Sequence, residues 1–471
     1  MVPWPRPSVP VVQRRVVGAV RTEDAGDGEM MGRNDVATDV AESSHSSPPV
    51  QENAAGTGNR LAWLDVLRGW AALCVVFNHF GYFVPAALNS AVNHWINPGD
   101  YGVFVFFIIS GYIVPASLER KGSVRTFWVS RIFRLYPLYL LAVGIAIALS
   151  VMHVGSLRGE GAHPDTSVLS QLLMMSNVLG GQNLPNVVWS LSYEMIFYLL
   201  LTALFAAHLH RRSGGYALAF GVAAVAIGGL LPQAYFNHTL SSPRFVALTA
   251  DLVVLTGLAL AVVLRGVPRL VGAALAAMAG LTLLAFNGSW LPPFEALSIL
   301  AFMFAGTMLY RAEQGQYARW KAAVIMATVI ALALAAGLWH GGHAWPITVW
   351  GRCYAMSVLM AGLTFAIGLA LRNLTWPKVL TWLGLISYSV YLLHPLLIDA
   401  WRHLPWTGNV HSLWPQLLTD VLFLVILIAL CSLTYLFVER PMQNAGRRAA
   451  RRFDARFGPD RVPERPAVAD A

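Results

Sequence analysis

Three ionisable residues stand inside one apolar stretch, residues 61–83, LAWLDVLRGWAALCVVFNHFGYF: Asp65, Arg68 and His79. At the centre of a membrane helix Asp or Arg costs about 2.5–3.5 kcal/mol on insertion scales, so a helix that serves only as a wall rarely keeps such residues. A helix advances about 100° per residue, which brings His79 back to within about 20° of Arg68 and leaves Asp65 about 40° from His79. All three share one stripe. With a rise of about 1.5 Å per residue, His79 stands about 16 Å beyond Arg68. A cation near one end and a titratable imidazole towards the other suit a path across a membrane. The plainer reading has Arg68 snorkelling to the headgroups, Asp65 neutralising it and His79 packing in the bundle; it accounts for each residue singly better than for the shared stripe.

Further groups of this kind recur along the chain. In ERKGSVRTFWVSRIFRLYPLY, Arg131 and Arg134 are three residues apart on one helical face, with Pro137 interrupting the hydrogen-bond ladder just beyond. They read either as anchors at the inner membrane edge or as a pocket for an anionic ligand arriving from the cytoplasm. In NVVWSLSYEMIFYLLL, Glu194 lies about two turns into an apolar helix with Ser190 one turn earlier on the same face. An intramembrane carboxylate faces the bundle interior. At a depth near that of His79, it would either support that imidazole as a general base or make a structural hydrogen bond. In WLGLISYSVYLLHPLLI, His394 precedes a proline, with Ser387 on its face and Tyr388 and Tyr391 close by. Proton chemistry, sugar binding or plain packing all fit it. Ser110–Gly111, in GDYGVFVFFIISGYIVP, reads as a site of close helix approach. In the 153–186 loop, His153, Glu160, His163 and Asp165 follow no metal-ligand spacing, and no metal is assigned.

The elements that must position these residues follow from composition. Of 471 residues 56% are hydrophobic and 12% charged, against about 25% charged in a soluble domain. Apolar runs of spanning length succeed one another at 61–83, 101–118, 135–152, 187–207, 215–232, 245–264, 269–287, 294–310, 321–340, 349–371, 379–398 and 415–438. The expected fold is all-α, a polytopic transmembrane helix bundle of about 10–12 spans. Lys and Arg concentrate in alternate loops, including Arg120, Lys121, Arg211, Arg212, Arg265, Arg319 and Lys378, and both termini are expected in the cytoplasm. Residues 1–59 read as a disordered cytoplasmic leader, 61–441 as the transmembrane domain, and 442–471 as a basic cytoplasmic tail lying on anionic lipid or disordered. The net charge of +9 is scattered as loop clusters, which argues against a nucleic-acid partner. Cys74, Cys353 and Cys431 sit in apolar spans and make no disulfide framework or zinc site. The spans from 215 to 371, mostly Ala, Leu, Val and Gly, read as scaffold and cavity wall.

The ordered set LDVLRG, His79, FFIISGY, RIFRLYPLY, WSLSYEMIFY, GLISYSVYLLHP and terminal VERP resembles the acyltransferase-3 family of integral-membrane acyltransferases over about residues 61–441. The resemblance implies a multi-pass protein of the cell's inner (plasma) membrane. It would acylate, usually acetylate, hydroxyls of lipopolysaccharide, exopolysaccharide, peptidoglycan or Nod factors, or of macrolide antibiotics. It implies acyl-CoA as donor, a glycan or glycolipid as acceptor and the lipid bilayer as surroundings. By the same resemblance, Arg68 and His79 match the family's essential Arg and His, Arg131 and Arg134 its donor-handling basic motif, and Glu194 its acidic residue. The family core is usually about ten helices. Any later step that uses an SGNH-type esterase domain is expected from a partner supplied in trans.

The expected mechanism places the donor phosphates on Arg131 and Arg134 and threads the acyl-pantetheine arm past Arg68. His79 then deprotonates the acceptor hydroxyl with Glu194 in support, or carries the acyl group covalently. Ser190, Tyr388, Tyr391 and His394 are the expected acceptor-binding residues. A secondary transporter or flippase of sugar lipids would share the buried charges and kinked helices. The ordered motifs and the arginines aimed at the cytoplasm favour the enzyme.

Overall fold

The computed structural model describes residues 61–80, 86–152, 154, 164–239, 243–288, 291–340, 349–404 and 413–458. The expected leader, the loop residues His153, Glu160 and His163, and residues 459–471 of the expected tail lie outside the described residues. The longer helices are α1 (Ala62–Phe80), α2 (Pro98–Lys121), α3 (Val124–Val151), α4 (Trp189–Ala206), α5 (Ser213–Ile227), α6 (Pro243–Val263) and α7 (Val267–Asn287). They continue as α8 (Pro293–Glu313), α9 (Arg319–His340), α10 (Val349–Ala370), α11 (Lys378–Leu385), α12 (Ser387–Arg402), α13 (Leu413–Thr434) and α14 (Arg440–Phe457). Among the described residues there is no strand.

Nine helical segments among the described residues are long and apolar enough to cross a bilayer, or ten if α11 and α12, bent by 67°, form one broken span. The chain is therefore an all-α, polytopic membrane bundle. A helix stands at each of the twelve expected spans, but two fall short as spans. The 19 residues of α1 carry Asp65, Arg68, Asn78 and His79, which lower its apolarity. The 15 residues of α5 are too few to cross.

Local chemistry fixes the helices that matter for the site. Asn97 caps α2, its side-chain oxygen accepting from the backbone N–H of Gly99 at 2.9 Å and of Asp100 at 3.1 Å, with Pro98 in the first turn. Ser123 caps α3 by accepting from Thr126 N–H at 3.0 Å. With this cap α3 starts at Val124 rather than at residue 135, and it continues through Pro137 to Val151. Arg131 and Arg134 consequently lie one turn apart on a helix, as their spacing predicts.

The middle of the bundle is α2, α4 and α8, whose spans are buried on most sides. At Gly111 a Cβ would lie 1.9 Å from the Met303 carbonyl oxygen, so α2 and α8 touch backbone to backbone, and the Thr307 hydroxyl donates to Gly111 O at 2.9 Å. The expected close approach at Ser110–Gly111 is thus made by the glycine. A second backbone contact joins α11 to α1, where a Cβ on Gly384 would meet Asp65 O at 2.0 Å. The chain bends just after it, at Ile386, and the bend turns Ser387, Tyr388 and Tyr391 inward. The single expected span 379–398 is therefore two pieces with the break at a helix crossing.

Beyond α13 the helix does not end at the membrane edge. One π-helical turn, Tyr435–Glu439, leads into α14, so the expected tail is helical as far as Phe457. Arg125 holds α14 in place, 3.9 Å from the Asp454 carboxylate and donating to Gly458 O at 3.2 Å.

Candidate active site

A cavity lies between α1, α2, α3, α4 and α12, with ≈ 780 Å³ of empty space that includes open solvent at its mouth. Arg68 reaches it from α1 and Ser110 from α2; α3 contributes Arg131 and Arg134, α4 contributes Ser190, Glu194 and Tyr198, and α12 contributes Ser387, Tyr388 and Tyr391. Helices from five separate parts of the chain thus bring most of the expected site residues to one wall. Among the described residues none from 215–371 lines this cavity, so towards it those helices serve as scaffold.

Charge on this wall is lopsided, three guanidiniums against the single carboxylate of Glu194. Glu194 accepts from the Ser110 hydroxyl at 3.1 Å and from the Tyr198 hydroxyl. Arg68 lies 4.0 Å from Asp65 one turn back, and within electrostatic reach of Arg134, Glu194 and Glu439. Arg131 is buried with its guanidinium 5.5 Å from the Phe127 ring centroid and 5.4 Å from that of Tyr198. Its Nε has no hydrogen-bond partner among the described residues. A buried guanidinium donor with no partner, on a wall that carries three arginines, is suited to an anion that offers oxygens.

The histidines lie beyond the cavity wall. The rings of His79 on α1 and His394 on α12 are 5.2 Å apart, and His394 is 6.3 Å from the ring of Tyr391. Tyr391 lines the cavity and ties α12 to α4, its hydroxyl 2.7 Å from Ser190 Oγ and 2.8 Å from Val187 O. The Tyr388 hydroxyl donates to Leu135 O at 3.0 Å, fixing α12 to α3. A carbonyl can only accept, so the 2.9 Å contact of His394 Nδ1 with Val390 O puts the proton on Nδ1. The lone pair of a neutral His394 is then on Nε2, which is buried and has no hydrogen-bond partner among the described residues.

The structure brings Arg68, Arg131, Arg134 and Glu194 together, and it brings His79 to His394. It shows no contact between Glu194 and His79 among the described residues; the neighbour of His79 is the second histidine, and Glu194 belongs to the arginine end. Two residues of the site were missed in the sequence. Ser110 was seen only as half of a small pair, and Tyr198 sat unremarked in an aromatic run. Glu439, buried but outside the cavity lining, was seen only within the terminal VERP motif. Among the described residues no group of three or more His, Cys, Asp or Glu could hold a metal ion.

With that geometry in view, the comparisons with known proteins fall into place. The acyltransferase-3 family model, described as an acyltransferase domain, matches residues 61–436, and the chain belongs to that family. It is 35% identical over 149 residues to acyltransferase MdmB of Streptomyces mycarofaciens, which covers 30% of this chain and 38% of that protein. It is 23% identical over 413 residues to YrhL of Bacillus subtilis (strain 168), covering 82% of this chain and 55% of YrhL. To the peptidoglycan O-acetyltransferase OatA of Listeria monocytogenes it is 28% identical over 155 residues, 30% of this chain and 23% of OatA. The chain thus spans about half or less of the length of these curated relatives. No solved structure matches it significantly.

Proposed function

We propose that the chain is a membrane O-acetyltransferase that moves an acetyl group from cytoplasmic acyl-CoA to a hydroxyl of a cell-surface glycan or glycolipid. The observation that carries the reading is the joining of two unlike regions by α12: an arginine-walled cavity at Arg68, Arg131 and Arg134, and a histidine pair beyond Tyr391. Family membership supplies the reaction class, and the peptidoglycan O-acetyltransferase relative favours a glycan acceptor.

In this reading both termini face the cytoplasm, as the loop charges indicate. The diphosphate of the donor sits on Arg131 and Arg134, whose planar guanidiniums match phosphate oxygens. Arg68 steers the pantetheine arm towards the histidines. A ring nitrogen of His79 takes the proton of the acceptor hydroxyl as its oxygen attacks the thioester carbonyl. A C–O bond forms, the C–S bond breaks, and the CoA thiolate leaves and recovers the proton from the imidazolium. Ser190, Tyr391 and His394 face the acceptor, and Glu194 keeps the arginine wall ordered.

The test is transfer of label from radioactive acetyl-CoA to surface glycan, lipid and small-molecule fractions in cells carrying wild type or His79→Ala at matched membrane levels. Label in a glycan or glycolipid fraction with wild type only is the expected result. Label in the small-molecule fraction moves the acceptor to a secondary metabolite such as a macrolide. Equal label in both strains, or none in any fraction, removes the proposal.

A further inference from the structure

The proposed function gives α14 no task, yet this helix carries six arginines against a single acid, Asp454. A run of such charge is ordinarily a solvated tail. Here it is a packed helix. Gly446 lies against α3, where a Cβ would come 2.6 Å from that of Phe133. Eight residues further along α14, Asp454 stands 3.9 Å from Arg125, eight residues back along α3. The two helices are therefore antiparallel. Arg125 Nη1 donates to Gly458 O at 3.2 Å and Arg265 Nη2 to Phe457 O at 2.8 Å, which fixes the far end of α14.

This packing falls at the edge of the bilayer. The 28 residues of α3 make a rod of about 42 Å, against a hydrocarbon core of about 30 Å. Arg125, Arg131 and Arg134 all lie in its first three turns, so the excess length belongs to that end. α14 continues from the last long apolar helix, α13, and runs beside the same end, at the level of the headgroups.

Along one face of α14, Arg448, Arg452 and Arg456 recur every fourth residue, about 6 Å apart along the axis. With Ala449, Phe453 and, on α3, Phe133, they line a groove with ≈ 1020 Å³ of empty space that includes open solvent. None of the three guanidiniums has a hydrogen bond or ion pair among the described residues, and the one acid of the helix is turned to Arg125. Three such groups in a row suit an anion that offers several oxygens, and at headgroup depth the anion at hand is a phospholipid phosphate. Phe133 stands beside the exposed Ile132, which gives acyl chains an apolar way out of the groove.

We propose that the groove between α3 and α14 binds the headgroup of an anionic phospholipid. The phosphate lies on Arg448, Arg452 and Arg456, and the acyl chains pass over Phe133 and Ile132 into the bilayer. The bound lipid bridges the last described helix to the helix that carries Arg131 and Arg134. The inference is independent of the donor-binding reading of those two arginines.

The probe is short-chain phosphatidylglycerol, with phosphatidylcholine as its counterpart of zero net charge, titrated into the purified full chain in detergent and counted by native mass spectrometry. Two double variants remove the same charge from exposed positions of one helix: Arg448→Gln with Arg452→Gln inside the groove, and Arg447→Gln with Arg451→Gln outside it. Wild type is expected to prefer phosphatidylglycerol by on the order of tenfold or more. The groove double should lose about fivefold in phosphatidylglycerol affinity for each arginine removed, and the outer double little. Equal losses in the two doubles would show a general effect of charge and overturn the site, as would equal binding of the two lipids by wild type. Displacement of phosphatidylglycerol by an equimolar amount of CoA would assign the groove to a soluble phosphate compound and overturn the lipid as its occupant.

Discussion

The imidazoles of His79 and His394 face each other at 5.2 Å, one from the first described helix and one from α12, although they are 315 residues apart in sequence. The pair is polarised by its setting. His394 spends its Nδ1 proton on Val390 O within its own helix, so an unoccupied Nε2 is left beside His79.

That asymmetry predicts different outcomes for two conservative changes. Gln places a polar group near the Nε2 position and Asn near Nδ1, so His394→Gln should keep a measurable fraction of acetyl transfer and His394→Asn should keep less. His79→Ala removes the proposed base and should lower transfer by about 10²–10⁴-fold. The comparison is made by initial rates in membranes of matched expression. A His79→Ala rate within a factor of two or so of wild type removes it from the chemistry.

Arg131 lies against two aromatic rings, 5.5 Å from Phe127 and 5.4 Å from Tyr198, a setting for a flat guanidinium rather than a point charge. Arg131→Lys should therefore behave more like Arg131→Ala than like wild type. Each is expected to weaken acetyl-CoA binding by about 10–100-fold, read by equilibrium titration of purified protein. Full affinity in the lysine variant would show that charge alone is used.

Much of this arrangement was legible from residue type and helical period. Arg131 and Arg134, three apart, do share a face and do meet Arg68 and Glu194, because an ionisable group in a bilayer has only the interior to go to. Which interior partner each one finds was not legible. Glu194 and His79 were matched by depth along their helices, but depth leaves open the rotation and tilt that packing decides. The bend after Gly384 shows why: it follows a glycine packed so close to a distant part of the chain that an added Cβ would lie 2.0 Å from Asp65 O, and no periodicity in either segment encodes that approach. The inward turn of Glu439 depends likewise on a π-helical turn, which leaves no mark in hydropathy.

Glu194 is the acceptor for two hydroxyls and, among the described residues, the one carboxylate lining a wall with three arginines. Glu194→Gln keeps the shape, so the protein should still purify folded while transfer falls. Glu194→Ala strands the Ser110 and Tyr198 hydroxyls and the arginine charge together. A loss of about 3–5 kcal/mol is expected, as for removal of one partner from a buried charge pair, visible as a lower midpoint in thermal unfolding. Gln and Ala variants both as stable as wild type would mean that solvent, not Glu194, neutralises the wall.

Backbone contact at α1 and α11 gives the last prediction, which separates the scaffold from the chemistry. A methyl group on Gly384 would meet Asp65 O, a backbone atom that cannot rotate away, so Gly384→Ala must push α11 from α1. Overpacking of this kind costs about 1–3 kcal/mol. It also moves the turn of α1 that carries Asp65 and Arg68, which lie 4.0 Å apart, so transfer should fall with stability. Gly144 is the control: it lies inside α3, and a Cβ there has nothing within 4 Å. Gly144→Ala should stabilise by about 0.5–1 kcal/mol through helix propensity alone and leave transfer unchanged. Thermal unfolding and initial rates on the two variants check both halves; a Gly384→Ala protein as stable and active as wild type would mean that α1 and α11 do not touch at this glycine.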